Sequence, residues 1–281
     1  MNGIAPRKIW LCADDYGISP GVNRGIRELI EQGRLNATSV MVVGPAIGRN
    51  EASALHDAVA RNRNCAIGLH ATLTAPFHPI TMHYRPLRDE QFLPLGKTLQ
   101  ASLLRKLDPE MIRAELAAQI ATFTKLLGRA PDYIDGHQHV QVFPQVRDAF
   151  LAAAKAHAPG AWVRQSGRVQ PLSQRLNTPK ALLLDTLSAT FRKRAARAGV
   201  AFNPGFAGAY DFTKQLEFGA LMAGFLDGLP DGGLVMCHPG HVDEILVSLD
   251  PFTDQREREY AYLAGDDFPR LLDANKVTLA R

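Results

Sequence analysis

The sequence predicts an α/β fold in which parallel strands curl into a distorted (β/α) barrel. Short apolar runs and longer helical patterns alternate about eight times along the chain, which is the order of a barrel built from strand–helix units. Most of the apolar runs are continuous, as in strands that are buried on both faces of a parallel sheet. A doubly wound open sheet is the alternative fold for the same order of elements.

The candidate strands are short and apolar, and most of them end next to a polar residue. Their length and their lack of alternation distinguish them from amphipathic helices. They are residues 8–13, 37–43, 66–69, 133–135, 162–164, 200–202, 234–237 and 276–279.

The predicted helices lie between these strands. Residues 20–33 carry an apolar stripe and end at Gly33, which can cap a helix. Asp108 and Pro109 suit the N-cap and first position of a second helix, which Gly128 ends. Helical periodicity also predicts helices at residues 144–156, 178–198, 213–229 and 255–275.

Composition indicates a globular chain without a strong preference for nucleic acid. The 281 residues are 46% apolar and carry a formal net charge of +4. We interpret the basic run at 191–197 as a solvated helix face. We expect one domain over residues 1–281, with residues 78–101 as a long loop over the active-site face.

The cysteines and the N-terminus bear on the cellular compartment. Cys12, Cys65 and Cys237 each lie in an apolar run, so we expect buried free thiols rather than disulfides. The N-terminus lacks the apolar segment of a signal peptide, and no run approaches the ~18 apolar residues of a membrane span. We therefore expect a cytoplasmic protein without stable membrane insertion.

Polar side chains gather at the predicted C-terminal ends of the strands. That end of a parallel barrel carries the variable loops, and catalytic groups collect there. Six of the eight candidate strands supply such a group, and this shared position is the main functional signal in the sequence. The residues are Asp14, Asp15, His70, Asp135, His137, His139, Arg164, Asn203 and His238.

These residue types suit a centre for one divalent cation, Mg²⁺ or Zn²⁺. Two imidazoles, His70 and His137, and one carboxylate, Asp14 or Asp15, would make a three-ligand site that leaves positions for water and substrate. The second aspartate would stay free to act as a general base.

Two further residues of the fourth strand-end motif would support this centre. If the chain stays extended, His139 shares a face with His137 and can approach the same metal. Asp135 could orient an imidazole by accepting a hydrogen bond from its second nitrogen.

Four ordered motifs also resemble a known family. The stretches ADDYGISPGVNRGI, GLHATLT, DGHQHVQVFPQV and VMCHPGHVD resemble the YdjC-like carbohydrate deacetylases, which include chito-oligosaccharide and hopanoid-associated deacetylases. The resemblance runs from about Lys8 to the C-terminus. It implies a distorted (β/α) barrel and metal-dependent hydrolysis of an N-acetyl group on an N-acetylglucosamine unit, in a chito-oligosaccharide or a glycolipid. The products would be acetate and a free amine.

The resemblance also implies roles for individual residues. Asp15, His70 and His137 would hold the metal. Asp14 would be the general base, and His238 the general acid. The residues left as possible supporting or substrate contacts are Asp135, His139, Arg164 and Asn203.

Two other functions remain open at this level. A metal-dependent phosphoesterase on the same rim would need more carboxylates to bridge two metals, and a cation near the phosphate. A non-catalytic relative that binds sugar or metal would be favoured by the loss of Asp14 or His238, and both are present. A homodimer is expected only because homodimers are common among soluble enzymes.

Overall fold

The computed structural model describes residues 5–168, 179–212, 214 and 216–279. Its strands are β1 Arg7–Tyr16, β2 Ala37–Val40, β3 Ala66–Ala71, β4 Leu87–Arg88, β5 Gln91–Phe92, β6 Tyr133–Gly136, β7 Trp162–Val163, β8 Phe206–Ala207, β9 Leu234–Cys237 and β10 Val277–Leu279. Its helices are α1 Pro20–Glu31, α2 Arg49–Arg61, α3 Leu95–Leu103, α4 Pro109–Leu127, α5 Val146–His157, α6 Pro179–Ala198, α7 Phe218–Leu226, α8 Glu244–Leu249, α9 Thr253–Ala264 and α10 Asp267–Ala274. A short 3₁₀ helix, His137–Val142, follows β6.

The main sheet is parallel and curled. Its strand order is β7-β6-β3-β2-β1-β9-β8, and β10 pairs with the first residues of β1. Two isolated parallel bridges, Val163 to Phe202 and Arg168 to Phe206, connect the β7 edge to the β8 edge. The predicted distorted (β/α) barrel is confirmed, with the strand ends that carry polar residues gathered on one rim.

Several predicted elements differ from those in the structure. Residues 200–202 contribute one bridge through Phe202, and β8 lies further along the chain. Residues 276–279 pair with the start of β1, so this strand supplies nothing to the rim. The segment 255–275 is two helices, because the backbone is extended at Gly265. The predicted loop 78–101 contains the β4–β5 hairpin and most of α3.

Other predictions concern buried residues and boundaries. Cys12, Cys65 and Cys237 are buried free thiols, as expected. Residues 178, 213 and 215, at or near predicted helix starts, lie outside the described residues. In the described ranges, every helix is either too short or too polar to traverse a bilayer.

Gly17 connects β1 to α1 and has a conformation that requires glycine. Its φ is +107°, and an added Cβ would lie 2.8 Å from the carbonyl oxygen of Met41. We expect Gly17→Ala to lower the free energy of unfolding by about 2–4 kcal/mol, because it combines backbone strain with overpacking. Urea unfolding followed by circular dichroism measures this change.

The matched control is Gly160→Ala. A Cβ at Gly160 meets no atom within 4 Å, so the expected change is within about 0.5 kcal/mol. Equal stabilities of the two alanine variants would show that the turn after β1 tolerates a side chain at Gly17.

Candidate active site

The paired aspartates lie in a β-bulge near the end of β1. Between the pairings with Thr38 and Val40 of β2, β1 has one residue more than its neighbour. Asp15 adopts a left-handed conformation there, with φ of +69°, which aspartate tolerates better than most residues. The bulge explains how two adjacent side chains reach different partners on the same rim.

Asp15 lies between the two predicted imidazoles. Its Oδ1 is 3.2 Å from Nε2 of His70 and 3.1 Å from Nδ1 of His137. One ligand atom from each of the three residues lies within 4.8 Å of the others. Two nitrogens and one carboxylate oxygen that converge in this way fit a divalent transition metal or Mg²⁺, with further positions left for exogenous ligands.

His70 is oriented from behind by Asp135. The Nδ1 atom of His70 lies 2.6 Å from Oδ1 of Asp135, so Nε2 faces Asp15. Burial alone would lower the pKa of His70, but the carboxylates of Asp135 and Asp14 raise it to about 10. This negative surrounding favours a cation, either a proton or a metal ion, at the imidazole. A carboxylate behind a ligating histidine is also the usual support for a metal site.

Asp14 turns away from these imidazoles to Arg164, which is fully buried. Its Oδ2 accepts a hydrogen bond from Nη1 of Arg164, and its Oδ1 accepts one from Nη2, both at 2.6 Å. Ser39 donates a further hydrogen bond to Oδ1. Burial would raise the pKa of Asp14, but the guanidinium outweighs burial and holds that pKa well below its usual range. Asp14 is therefore ionised at neutral pH.

Arg164 also fills the second possible metal cluster in the described part of the chain. Cys12, Asp14 and Asp135 converge there. Nη2 of Arg164 lies 2.9 Å from the Cys12 sulfur and 2.5 Å from Oδ2 of Asp135. A guanidinium at the centre of these groups repels a second cation, which argues against the two-metal arrangement that a phosphoesterase would use.

A cavity of about 450 Å³ opens beside Asp15 and His137. Its wall is largely apolar and aromatic. The rings of Phe212 and Phe252 are stacked with centroids 6.0 Å apart, and Phe212 also meets the ring of His238 edge-on. Further apolar lining comes from Ile18, Phe77, Pro94, Leu95, Leu249 and Pro251.

His238 lies at the end of β9 and lines this cavity. Its backbone N–H donates to Oε2 of the buried Glu259 at 2.5 Å, and Tyr210 donates to the other carboxylate oxygen. Burial raises the pKa of Glu259 above its usual value. The Nδ1 atom of His238 is buried and has no hydrogen-bond partner in the described ranges, so no protein group there occupies it.

Sequence reasoning missed one side of the cavity, which helix α9 forms. Gln255, Arg256 and Glu259 are buried and line the cavity, although α9 carries a run of charged residues that is typical of a surface helix. The spacing of these residues places them on one helix face. The sequence contains one signal for this face: the polar stripe lies on the same side of the helix as Leu263, an apolar residue that is buried in the core.

Two predicted site residues have other contacts. The condition under which His139 would approach the same metal as His137, an extended chain, is not met, because β6 ends at Gly136 and both Gln138 and His139 have positive φ. The Nδ1 atom of His139 lies 3.1 Å from the hydroxyl of Ser166, and His139 does not belong to the Asp15–His70–His137 cluster.

Asn203 has a structural environment. Its side-chain oxygen accepts from the backbone N–H of Gln165 at 2.8 Å, and its amide group donates to the carbonyls of Gln165 and Gly205. These bonds tie the segment after β7 to the segment before β8. Asn203 is not among the residues that line the described cavity.

The residues that form this site lie in a segment that matches a known protein family. The family model described as "YdjC-like protein" matches residues 8–274, a range that includes Asp14, Asp15, His70, His137 and His238. The chain belongs to the YdjC-like family. The YdjC-like match therefore covers helix α9 and the strands of the curled sheet except β10 and the first residue of β1.

One relative of this YdjC-like chain is similar in sequence, and two solved structures are similar in fold. A human carbohydrate deacetylase is 35% identical over 154 residues, which are 53% of this chain and 46% of that protein. The match thus spans about half the length of that relative. The crystal structure of an Enterococcus faecalis V583 protein, named as a candidate cellobiose-phosphate cleavage protein, has a TM-score of 0.72 and 23% identity, covering 99% of this chain and 98% of that chain. A lactam utilization protein of Thermus thermophilus has a TM-score of 0.51 and 16% identity, over 97% and 99% of the two chains. The two structural likenesses support the fold.

Proposed function

We propose that the protein is a metal-dependent hydrolase that removes the N-acetyl group from an N-acetylglucosamine-containing carbohydrate. The observation that carries this proposal is the convergence of Asp15, His70 and His137 next to a cavity that Asp15, His137 and His238 line. The human relative named a carbohydrate deacetylase supports the choice of substrate class.

Asp15, His70 and His137 would hold one divalent cation, Mg²⁺ or Zn²⁺. Such a cation polarises a carbonyl and lowers the pKa of water. The side chains then have distinct tasks. His70 is held by Asp135 so that Nε2 faces the cation site, and His137 closes the same site from the 3₁₀ helix. The rings of Phe77 and His137 form a T-shaped pair with centroids 5.6 Å apart, and Phe77 keeps that side apolar.

Asp14 is the proposed general base. Arg164 keeps the Asp14 carboxylate ionised, and in the bulge of β1 Asp14 directly precedes Asp15, a proposed metal ligand. The same low pKa limits its strength as a base, because proton transfer is most efficient when the pKa lies near the working pH.

His238 is the proposed general acid. An amine anion is too poor a leaving group to depart unprotonated, so amide hydrolysis needs a proton donor on the side of the nitrogen. His238 lies on the cavity wall, where a sugar amine can meet it. Phe212 and Phe252 offer apolar ring faces for the pyranose ring, as aromatic walls do in many ligand sites.

The direct test is acetate release from N,N′-diacetylchitobiose. We expect equimolar acetate and free amine, loss of activity with a chelator, and recovery on addition of Zn²⁺ or Mg²⁺. His70→Ala should bind metal more than about 100-fold more weakly than the wild type. Removing a residue that only supports a ligand typically costs about 10–100-fold, so a larger loss indicates a ligand. The matched control is His157→Ala, at the exposed end of α5.

Two results would support another function. Phosphate release from p-nitrophenyl phosphate without acetate release would favour a phosphoesterase. Metal binding that depends on His70 without turnover of either substrate would favour a non-catalytic binding protein.

A further inference from the structure

We propose that Arg256 is a positioning residue for the cation, because it holds the Asp15 carboxylate so that one oxygen faces His70 and His137. The inference rests on the proposed metal site. It adds a helix α9 residue, 241 positions away from Asp15 in the sequence, to the set that determines metal affinity.

The two oxygens of Asp15 have separate partners. Nη2 of Arg256 donates to Oδ2 at 2.6 Å, whereas Oδ1 lies 3.1–3.2 Å from the two imidazole nitrogens. The terminal torsion of an aspartate is broad, so a carboxylate without such a bond rotates. The Arg256 bond fixes that torsion and presents Oδ1 alone to the cation site.

Arg256 is itself held in place. Oδ2 of Asp250 accepts from its Nε at 3.0 Å and from its Nη2 at 2.7 Å. The other oxygen of Asp250 accepts from the backbone N–H of Phe252, and the carbonyl of Arg256 accepts from the backbone N–H of Gly240. Arg256 is 4% exposed, so solvent does not compete strongly for these bonds. Its position is therefore set by the turn between α8 and α9.

The positive charge of Arg256 and its orienting role predict opposite changes in cation affinity when the residue is removed. A guanidinium beside a metal ligand repels the metal, so charge alone predicts that removing Arg256 tightens cation binding. Asp250 offsets part of that repulsion because it shares Nη2 with Asp15. If Arg256 acts by orientation, its removal weakens cation binding although a positive charge has been lost.

The test is the affinity of the full chain for Zn²⁺ and Co²⁺. The metal is first removed with a chelator, and binding is then measured by competition with a coloured chelator. We expect Arg256→Gln to weaken binding by about 10–100-fold, as other losses of a ligand's supporting partner do. Arg256→Lys keeps the charge but lacks the planar fork, and we expect binding between that of the wild type and that of Arg256→Gln. The visible spectrum of bound Co²⁺ should change in both variants, because the ligand geometry around it changes.

Control variants distinguish a wrong positioning role for Arg256 from a folding defect and from a wrong metal site. Arg258→Gln removes the same charge from the same helix, and Arg258 has no contact with Asp15 in the described hydrogen bonds, so wild-type affinity is expected. Unchanged or tighter metal binding by folded Arg256→Gln, with an unchanged Co²⁺ spectrum, would overturn the positioning role. If Arg256→Gln does not fold, wild-type affinity of Arg256→Lys would overturn it instead. If His70→Ala also binds metal normally, the proposed metal site itself is wrong, which is a separate outcome.

Discussion

Asp14→Asn is expected to lower kcat for acetate release by about 10²–10⁴-fold, the usual contribution of a general base, and to leave metal affinity unchanged. Asparagine keeps the shape of the side chain and can still accept one hydrogen bond from Arg164. It cannot accept the proton of the attacking water. Steady-state acetate release and metal binding, measured on the same preparation, separate the two effects.

The control for this variant is Asp148→Asn. Asp148 lies near the start of α5 and forms a half-exposed ion pair with Arg194 at 3.8 Å, so the same chemical change should leave kcat unaltered. Wild-type turnover by folded Asp14→Asn would assign the base to another group. Loss of metal together with activity would instead make Asp14 part of the cation site.

Arg164→Met is expected to lower the free energy of unfolding at pH 7 by about 3–5 kcal/mol, the usual result of removing one partner from a buried charge pair. Arg164 is fully buried and contacts two buried carboxylates, Asp14 and Asp135. Without the guanidinium, both carboxylates remain in the core with like charges. Denaturant unfolding of the metal-free proteins measures the loss.

The pH dependence of this loss has a definite sign. Arg164 holds the pKa of Asp14 below its unfolded value, so its stabilisation is present above that value and is lost as the pH falls through the folded pKa. In Arg164→Met, burial would instead favour the protonated Asp14. The deficit should therefore shrink as the pH is lowered from about 7 towards about 4, the unperturbed pKa of aspartate.

The matched surface control is Arg113→Met, which breaks an exposed ion pair with Glu110 on α4. Its expected cost is about 0–1 kcal/mol. If Arg164→Met were no less stable than Arg113→Met, or its deficit grew in acid, Arg164 would not be the group that compensates the two buried carboxylates.

The sequence is sufficient to locate the rim of the barrel but not the contacts made on it. Apolar strands that end in Asp15, His70 and His137 could be located because burial on both faces leaves continuous apolar runs. The separation of Asp14 from Asp15 depends on a bulge against β2, which is a property of two paired strands rather than of either one.

The errors have similar causes. His139 could share a face with His137 only if the chain stayed extended, but two successive non-glycine residues with positive φ turn it, and their residue types do not predict that conformation. Arg256 lies on a helix whose charge suggests solvent. The contacts of α9 with Asp15 and with the backbone of His238 show that one side of this helix faces a cavity instead. Asn203 shows that a polar residue near a strand end can serve the backbone instead.

The bulge in β1 also bears on how the protein matures. Asp14 bonds to a residue 150 positions away, and Asp15 bonds to one 241 positions away. We expect contacts this distant in sequence to form late, because closing long loops costs entropy before the contacts repay it. A nascent chain that ends before α9 would hold His70 and His137 without the guanidinium that fixes Asp15. If Asp15 binds a cation and Arg256 positions it as proposed, full affinity for the cation is acquired only when α9 docks, and ion uptake would then report completion of folding.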